Sequence, residues 1–315
     1  MRRAGAPGRR GGPVGRQAVA AAAGLVADMA IGDRPLRPHP VAAFGTLMEA
    51  VEANLYRDGR AAGAFHAAIG TAVGAGTGVA LRRVLGRPAA AVVATYAAVA
   101  HRQLAAAAGA VAACLAADDL DGARAGLPAL VGRDPAGLDD KEIARAVVES
   151  VAENTVDAVV APVLWAVVGG APGVLTYRCV NTMDAMVGHR SPRHLRYGWA
   201  AARLDDAANW VPARVTAALV AVCRPRRASE VWRAVRDYAP AHPSPNAGVA
   251  EAAWAGALGV RLGGTNRYGA RVEVRPSLGY GRAPERSDID PAVALGRDVS
   301  RLLAAVLVGA ATVAR

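Results

Sequence analysis

The chain is poor in the residues that mark the commonest sites. Its three cysteines, Cys114, Cys179 and Cys223, are isolated. Odd in number and without a CxxC, they exclude a disulfide framework and a cysteine-based zinc site. Six histidines form no HExxH. The single lysine, Lys141, lies outside any GxxxxGK[ST], so no P-loop is present. Aromatic residues make up only 4%. No segment alternates as a set of β-strands would. Zinc-finger, RRM-like and basic-zipper patterns are missing too, so the net charge of +11 does not point to nucleic acid. Any nucleotide phosphates would have to be handled by arginine, backbone N–H groups and metal.

What remains is apolar and small. Hydrophobic residues make up 53% of the 315, mostly Ala and Val, a composition suited to closely packed helices. The mean hydropathy is only +0.20 because Ala contributes little and the polar loops are long. Residues 1–16 (MRRAGAPGRRGGPVGR) read as a disordered basic tail, and 17–31 as a short apolar helix. Asp28 and the lack of a clean cleavage site argue against a signal peptide. Ala61 to Leu81 carries no Asp, Glu, Lys or Arg over a length that can cross a bilayer. Within it Gly70, Gly74 and Gly78 form a row suited to close helix contact in lipid. Pro88 to Ala117 reads as one long helix, and 302–314 as the last. The expected fold is all-α: a multi-helix integral membrane protein with helical hairpins, polar loops at the membrane edge and one domain over 17–315.

One polar row stands out. Glu149, Glu153 and Asp157 recur every fourth residue, with Arg145 in line, and share a helix face. They lead directly into Ala158–Tyr177, which has no charged side chain. A solvated helix face would explain the spacing. A carboxylate stripe entering apolar sequence costs free energy unless a cation compensates it. The break GGAPG at Gly169–Gly173 suggests that 141–168 and 172–187 form an antiparallel pair. Asp157 would then lie level with Asn181 and Asp184, with Glu153 close by, in a set of oxygen ligands suited to a metal ion. Further polar clusters edge apolar helices: Arg203, Asp205, Asp206, Asn209 and Arg214 in RLDDAANWVPAR; His242, Ser244, Asn246 and Glu251 in HPSPNAGVAE; Asp33 and His39 in GDRPLRPHP. Taken alone, Asn246 reads as a plain helix cap.

The strings GDRPLRPHP, KEIARAVVESVAENTVDAVVAP, NTMDAMVGHR, GWAAARLDDAANWVPAR, HPSPNAGVAEAAWAGALGVRLGG and NRYG resemble, in order, the CobD/CbiB family of cobinamide-phosphate synthases. The resemblance covers most of 31–300 and leaves out the N-terminal tail. Arg34 replaces the proline usual in the first motif. Membership implies a multi-pass protein of the inner membrane with a cytoplasmic site. It implies an ATP- and Mg²⁺-dependent ligase joining aminopropanol, or its O-phosphate, to the free propionate of adenosylcobyric acid. On that reading Glu149, Glu153, Asp184 and His242 are the catalytic candidates. Asp33, His39, Asn154, His189, Arg203, Asn209, Arg214, Ser244, Asn246, Glu251 and Asn266 bind substrate or phosphate. Asp157, Asn181, Asp184, Asp205 and Asp206 hold the metal. The expected partners are these substrates, the lipid bilayer and other corrinoid-assembly enzymes, not nucleic acid. Two rival classes fit parts of the pattern: a transporter of a polar or cationic solute, which should show an internal repeat, and a non-catalytic membrane scaffold.

Overall fold

The computed structural model describes residues 12–32, 39–268 and 271–313. The helices, in chain order, are α1 (Pro13–Ile31), α2 (Pro40–Leu55), α3 (Arg60–Leu85), α4 (Arg87–Ala98), α5 (His101–Ala116), α6 (Leu120–Gly126), α7 (Asp140–Thr155), α8 (Ala161–Met183), α9 (His194–Tyr197), α10 (Trp199–Cys223), α11 (Ala228–Tyr238), α12 (Ala247–Leu258) and α13 (Ile289–Val313). Strands β1 (Leu262–Tyr268) and β2 (Arg271–Leu278) form an antiparallel hairpin between α12 and α13. The architecture is helical, and four stretches, 14–31, 60–85, 87–116 and 140–188, are long and apolar enough to cross a membrane.

Three details differ from the sequence reading. Helix α1 begins at Pro13, inside the segment read as tail, because proline's fixed φ suits the first helical turn; residues 1–11 lie outside the described part. The apolar run 88–117 is not one rod. It breaks at Val99 and Ala100, where the freed Ala100 N–H donates to the Ala158 carbonyl at 3.0 Å. The strand pair is the third. Gly263 and Gly264 adopt φ of +84° and +104° at an irregularity in its register. A side chain on Gly263 would overlap the Pro276 carbonyl, so the bulge needs glycine there.

The stretch 140–188 folds back on itself. A capping box between Asp139 and Glu142 starts α7. Two π-turns follow along the path, Val156–Val160 and Asp184–Gly188. Gly170 leaves helical geometry at φ 60°, ψ −148°, two residues before Pro172. The reversal is proved by contact. Asn181 Nδ2 donates to Asp157 Oδ2 at 3.1 Å, and the Tyr177 hydroxyl donates to the Asp157 carbonyl at 3.1 Å. On a straight helix residues 157 and 181 would stand about 36 Å apart. The uncharged part of each arm, roughly ten residues, is about 15 Å long, half of the roughly 30 Å hydrocarbon core. Folded back in this way, the stretch has the proportions of a re-entrant hairpin.

The glycine row of α3 packs on the returning arm. Side chains at Gly70, Gly74 and Gly78 would run into Met183, Leu175–Thr176 and Pro172 respectively. Backbone-to-backbone approach of this kind is what small residues permit where lipid offers no hydrophobic drive. Gly63 meets the Tyr197 backbone in the same way. On the other side α7 buries eleven of its 16 residues and α12 eleven of its 12, with Trp254 wholly enclosed.

Candidate functional site

The polar row of α7 is the spine of a seam of side chains drawn from five elements. At its hairpin end, Asp157 lies on the first π-turn, a distortion that recurs at functional positions. Asn181 bridges two carboxylates, donating to Asp157 Oδ2 at 3.1 Å and to Asp205 Oδ1 at 3.2 Å. Asn209, one turn after Asp205 on α10, donates to Asp205 Oδ2 at 3.1 Å and accepts from the Tyr177 hydroxyl at 2.9 Å. Arg178 fixes the Asn181 amide by donating to its oxygen at 3.3 Å. Burial pushes the Asp205 carboxyl above its ordinary range, against the lowering effect of its two amide donors. Asp206 is raised by burial too, offset in part by Arg203 at 3.3 Å. Asp184, on the second π-turn, stands within electrostatic reach of Asp157, Asp205 and Asp206.

Midway along, Glu153 is exposed yet surrounded by charge: Arg275, Asp205, Glu149 and Arg133 all act on it. Glu153 is thus the solvent-facing member of the row. At the far end Glu149 is enclosed and saturated. Arg133 Nη2 meets its Oε2 at 2.5 Å, Arg145 Nη1 its Oε1 at 3.3 Å, and the Gly263 N–H donates to Oε1 at 2.8 Å. Arg145 also donates to the Gly263 and Thr265 carbonyls, and both arginines donate to Asn266 Oδ1. This cage clamps the glycine bulge of the strand pair onto α7. Glu149 thereby acts as an ion-paired anchor with both oxygens engaged.

The α10–α12 side completes the seam. Asn246 accepts from Arg214 at 3.1 Å and donates to the Asp206 carbonyl at 2.8 Å. It does not cap α12 with its side chain; the Ser244 hydroxyl accepts from the Asn246 and Ala247 N–H groups instead. Glu251 and His242 face each other across 3.9 Å, and Arg275 Nη1 stands 3.8 Å from Glu251. Burial and then the neighbouring Glu149 and Glu153 hold the Glu251 carboxyl well above its ordinary range, while burial lowers the His242 imidazole.

Other candidates fall elsewhere. His189 joins His194 at 3.2 Å, and His194 in turn meets Glu52 at 3.0 Å, in a separate cluster beside α2. His39 accepts from the Val41 N–H at the start of α2. Asn154 bonds back to Ser150 one turn earlier. Asp33 lies outside the described residues. The sequence reading missed Tyr177, Arg178, Arg133 and Arg275. Tyr177 ends an apolar run and Arg133 sits in a turn-rich loop, so neither has a pattern that marks it. Arg178 was legible as the first charge after that run.

Among the described residues, no three His, Cys, Asp or Glu side chains stand in position to cage a metal ion. The donor chemistry still fits magnesium, which keeps several waters and takes one or two carboxylates together with substrate phosphates. Asp157 and Asp205, joined through one amide, supply such a pair.

The family profile described as CobD/Cbib protein matches residues 21–296. The chain is 51% identical over 306 residues to the cobalamin biosynthesis protein CobD of Mycobacterium tuberculosis, covering 93% of this chain and 96% of that one. It is 42% identical over 305 residues to the CobD of Chromobacterium violaceum, covering 91% and 96%. With the CobD of Geobacter metallireducens the identity is 42% over 267 residues, covering 81% and 84%. No solved structure matches the chain at a significant level. The chain therefore belongs to the CobD/Cbib family, whose relatives named here are cobalamin biosynthesis proteins.

Proposed function

We propose that this chain acts in cobalamin biosynthesis as an ATP-dependent ligase that forms the amide between the free propionate of adenosylcobyric acid and aminopropanol or its O-phosphate. The observation that carries the reading is the seam itself: Asp157 and Asp205 bonded through Asn181, where the two arms of the hairpin meet α10.

A carboxylate is a poor acyl electrophile, and phosphorylation gives it a leaving group that an amine can displace. Such transfer needs positioning and charge stabilisation more than covalent help from the protein. Asp157 and Asp205 are the residues that would hold Mg²⁺, with Asp184 and Asp206 adding negative charge nearby; when bound, the ion neutralises the phosphates. Arg203 and Arg214, on the α10 face beside the seam, would meet anionic oxygens of ATP or corrinoid. Asn181 and Asn209 hold the two carboxylates at fixed orientation, and the exposed Glu153 side of the seam is where substrate would enter. Arg190, Arg193 and Arg196 before α10, and Arg224, Arg226 and Arg227 after it, favour cytoplasmic placement of these loops, where ATP is found.

The test is conversion of adenosylcobyric acid by the protein purified in detergent, with ATP, Mg²⁺ and either amine. The expected product has the mass of acid plus amine less one water, and forms only with ATP. No product from either amine would overturn the reading.

A further inference from the structure

We infer that His242 and Glu251 form the seat of the attacking amine, apart from the Asp157–Asp205 end of the seam. The inference rests on the amide-forming reading and assigns its second substrate a place.

Both side chains are enclosed, Glu251 at 0% and His242 at 8% exposure. Neither Glu251 oxygen has a hydrogen-bond partner, nor does His242 Nε2. A native protein rarely buries three such atoms unanswered. They point at one another: Nε2 and Oε1 are 3.9 Å apart, too far for a direct bond. A small donor atom set to one side of that line reaches both at about 2.8 Å. A primary ammonium matches these atoms chemically, because it offers several N–H groups and its charge offsets a carboxylate crowded by Glu149 and Glu153. Arg275 at 3.8 Å and the more distant Arg133 offset the Glu251 charge only in part.

The histidine is built to accept a proton. Its Nδ1 stands 3.1 Å from both the N–H and the carbonyl of Ser244, so either tautomer can be held. With Nδ1–H donating to the Ser244 carbonyl, Nε2 presents its lone pair toward Glu251. Burial, the first cause of its lowered pKa, keeps the ring neutral and able to act as a base. Gly248 allows this placement, since a side chain there would overlap His242 Cβ.

The step balances. The ammonium gives one proton to His242 Nε2 and becomes a free amine. Its lone pair forms the C–N bond as the bond from the acyl carbon to the phosphate oxygen breaks. The remaining surplus proton on nitrogen leaves with the phosphate. Glu251 orients the nitrogen and takes no part in bond making. Glu153, exposed and within electrostatic reach of Glu251, marks the approach from solvent.

The test uses the full chain in detergent and two readouts. In calorimetric titration with 1-amino-2-propanol alone, wild type should bind and E251Q should bind at least tenfold more weakly. In turnover at saturating ATP and corrinoid, E251Q should raise KM for the amine about tenfold or more and leave KM for ATP unchanged. H242N should lower kcat with a smaller effect on that KM. Should E251Q fail to insert, E251D serves in both arms, with the same direction of effect. Amine binding equal in wild type and variant, or absent from wild type, overturns the assignment. If wild type forms the amide and the variants keep its amine KM, the assignment falls while the amide-forming reading stands. If wild type binds the amine, loses that binding in E251Q and yet makes no amide, the amine seat stands and the ligase reading falls.

Discussion

Glu149 and Asp157 lie in one row of one helix, yet their surroundings divide their roles. Glu149 is closed in by two arginines and a backbone N–H, and both its oxygens are answered. Removing Arg133 would leave a buried charge short of one partner, so Arg133→Met should lower stability by about 3–5 kcal/mol. Thermal melting in detergent measures this, and a change below about 1 kcal/mol would contradict the anchor role. Asp157 is half-buried and held by an amide donor alone. Asp157→Asn removes the charge and keeps an acceptor for Asn181, whereas Asp205→Asn also turns one of two acceptors, each bonded to an amide N–H, into a donor. Each should cut amide formation by at least a hundredfold, Asp157→Asn with membrane insertion and melting temperature nearly unchanged. Activity within about tenfold of wild type in both would remove the metal-binding role from this pair.

Among the elements, the re-entrant hairpin positions the site, and α3 holds the hairpin in place. Gly78 and Gly74 contact the returning arm through backbone, while Gly76 on the same helix has nothing within 4 Å. Gly78→Leu should therefore loosen the hairpin and abolish activity, whereas Gly76→Leu should be tolerated. Equal activity of the two variants would show that the α3–α8 contact does not matter. Much of this level was legible in sequence. GGAPG marked the reversal, the four-residue spacing marked the acid row, and the glycine row marked a close contact. The π-turns were not legible, because one extra residue in a helical turn leaves the hydrophobic pattern almost unchanged. The strand pair was missed as well. Its two short strands are set by a glycine bulge and a clamp from Arg145, 118 residues away from Gly263, and long-range pairing of that kind leaves no local signature. Ser244 rather than Asn246 caps α12 because capping depends on backbone geometry at the Pro-stiffened turn, which residue type alone does not set.

At the scale of the molecule, the proposed function requires the two ends of the hairpin and the arginine-rich loops to share one side of the membrane. Cysteines placed at 150 and 188 should react with the same side-specific reagent, and labelling from opposite sides would turn the hairpin into a span. A reporter fused after residue 240 should show cytoplasmic activity only. Both results would agree with an enzyme that draws ATP and corrinoid from the cytoplasm.

The central claim is that this seam activates a carboxylate with ATP and passes it to an amine. The most direct measurement follows oxygen. Adenosylcobyric acid carrying ¹⁸O in its free propionate is incubated with purified protein, ATP, Mg²⁺ and amine, and the released phosphate is analysed by mass spectrometry. An acyl phosphate places one ¹⁸O in the inorganic phosphate for each amide formed. Amide formation with ¹⁸O in AMP, or with unlabelled phosphate, would contradict the account.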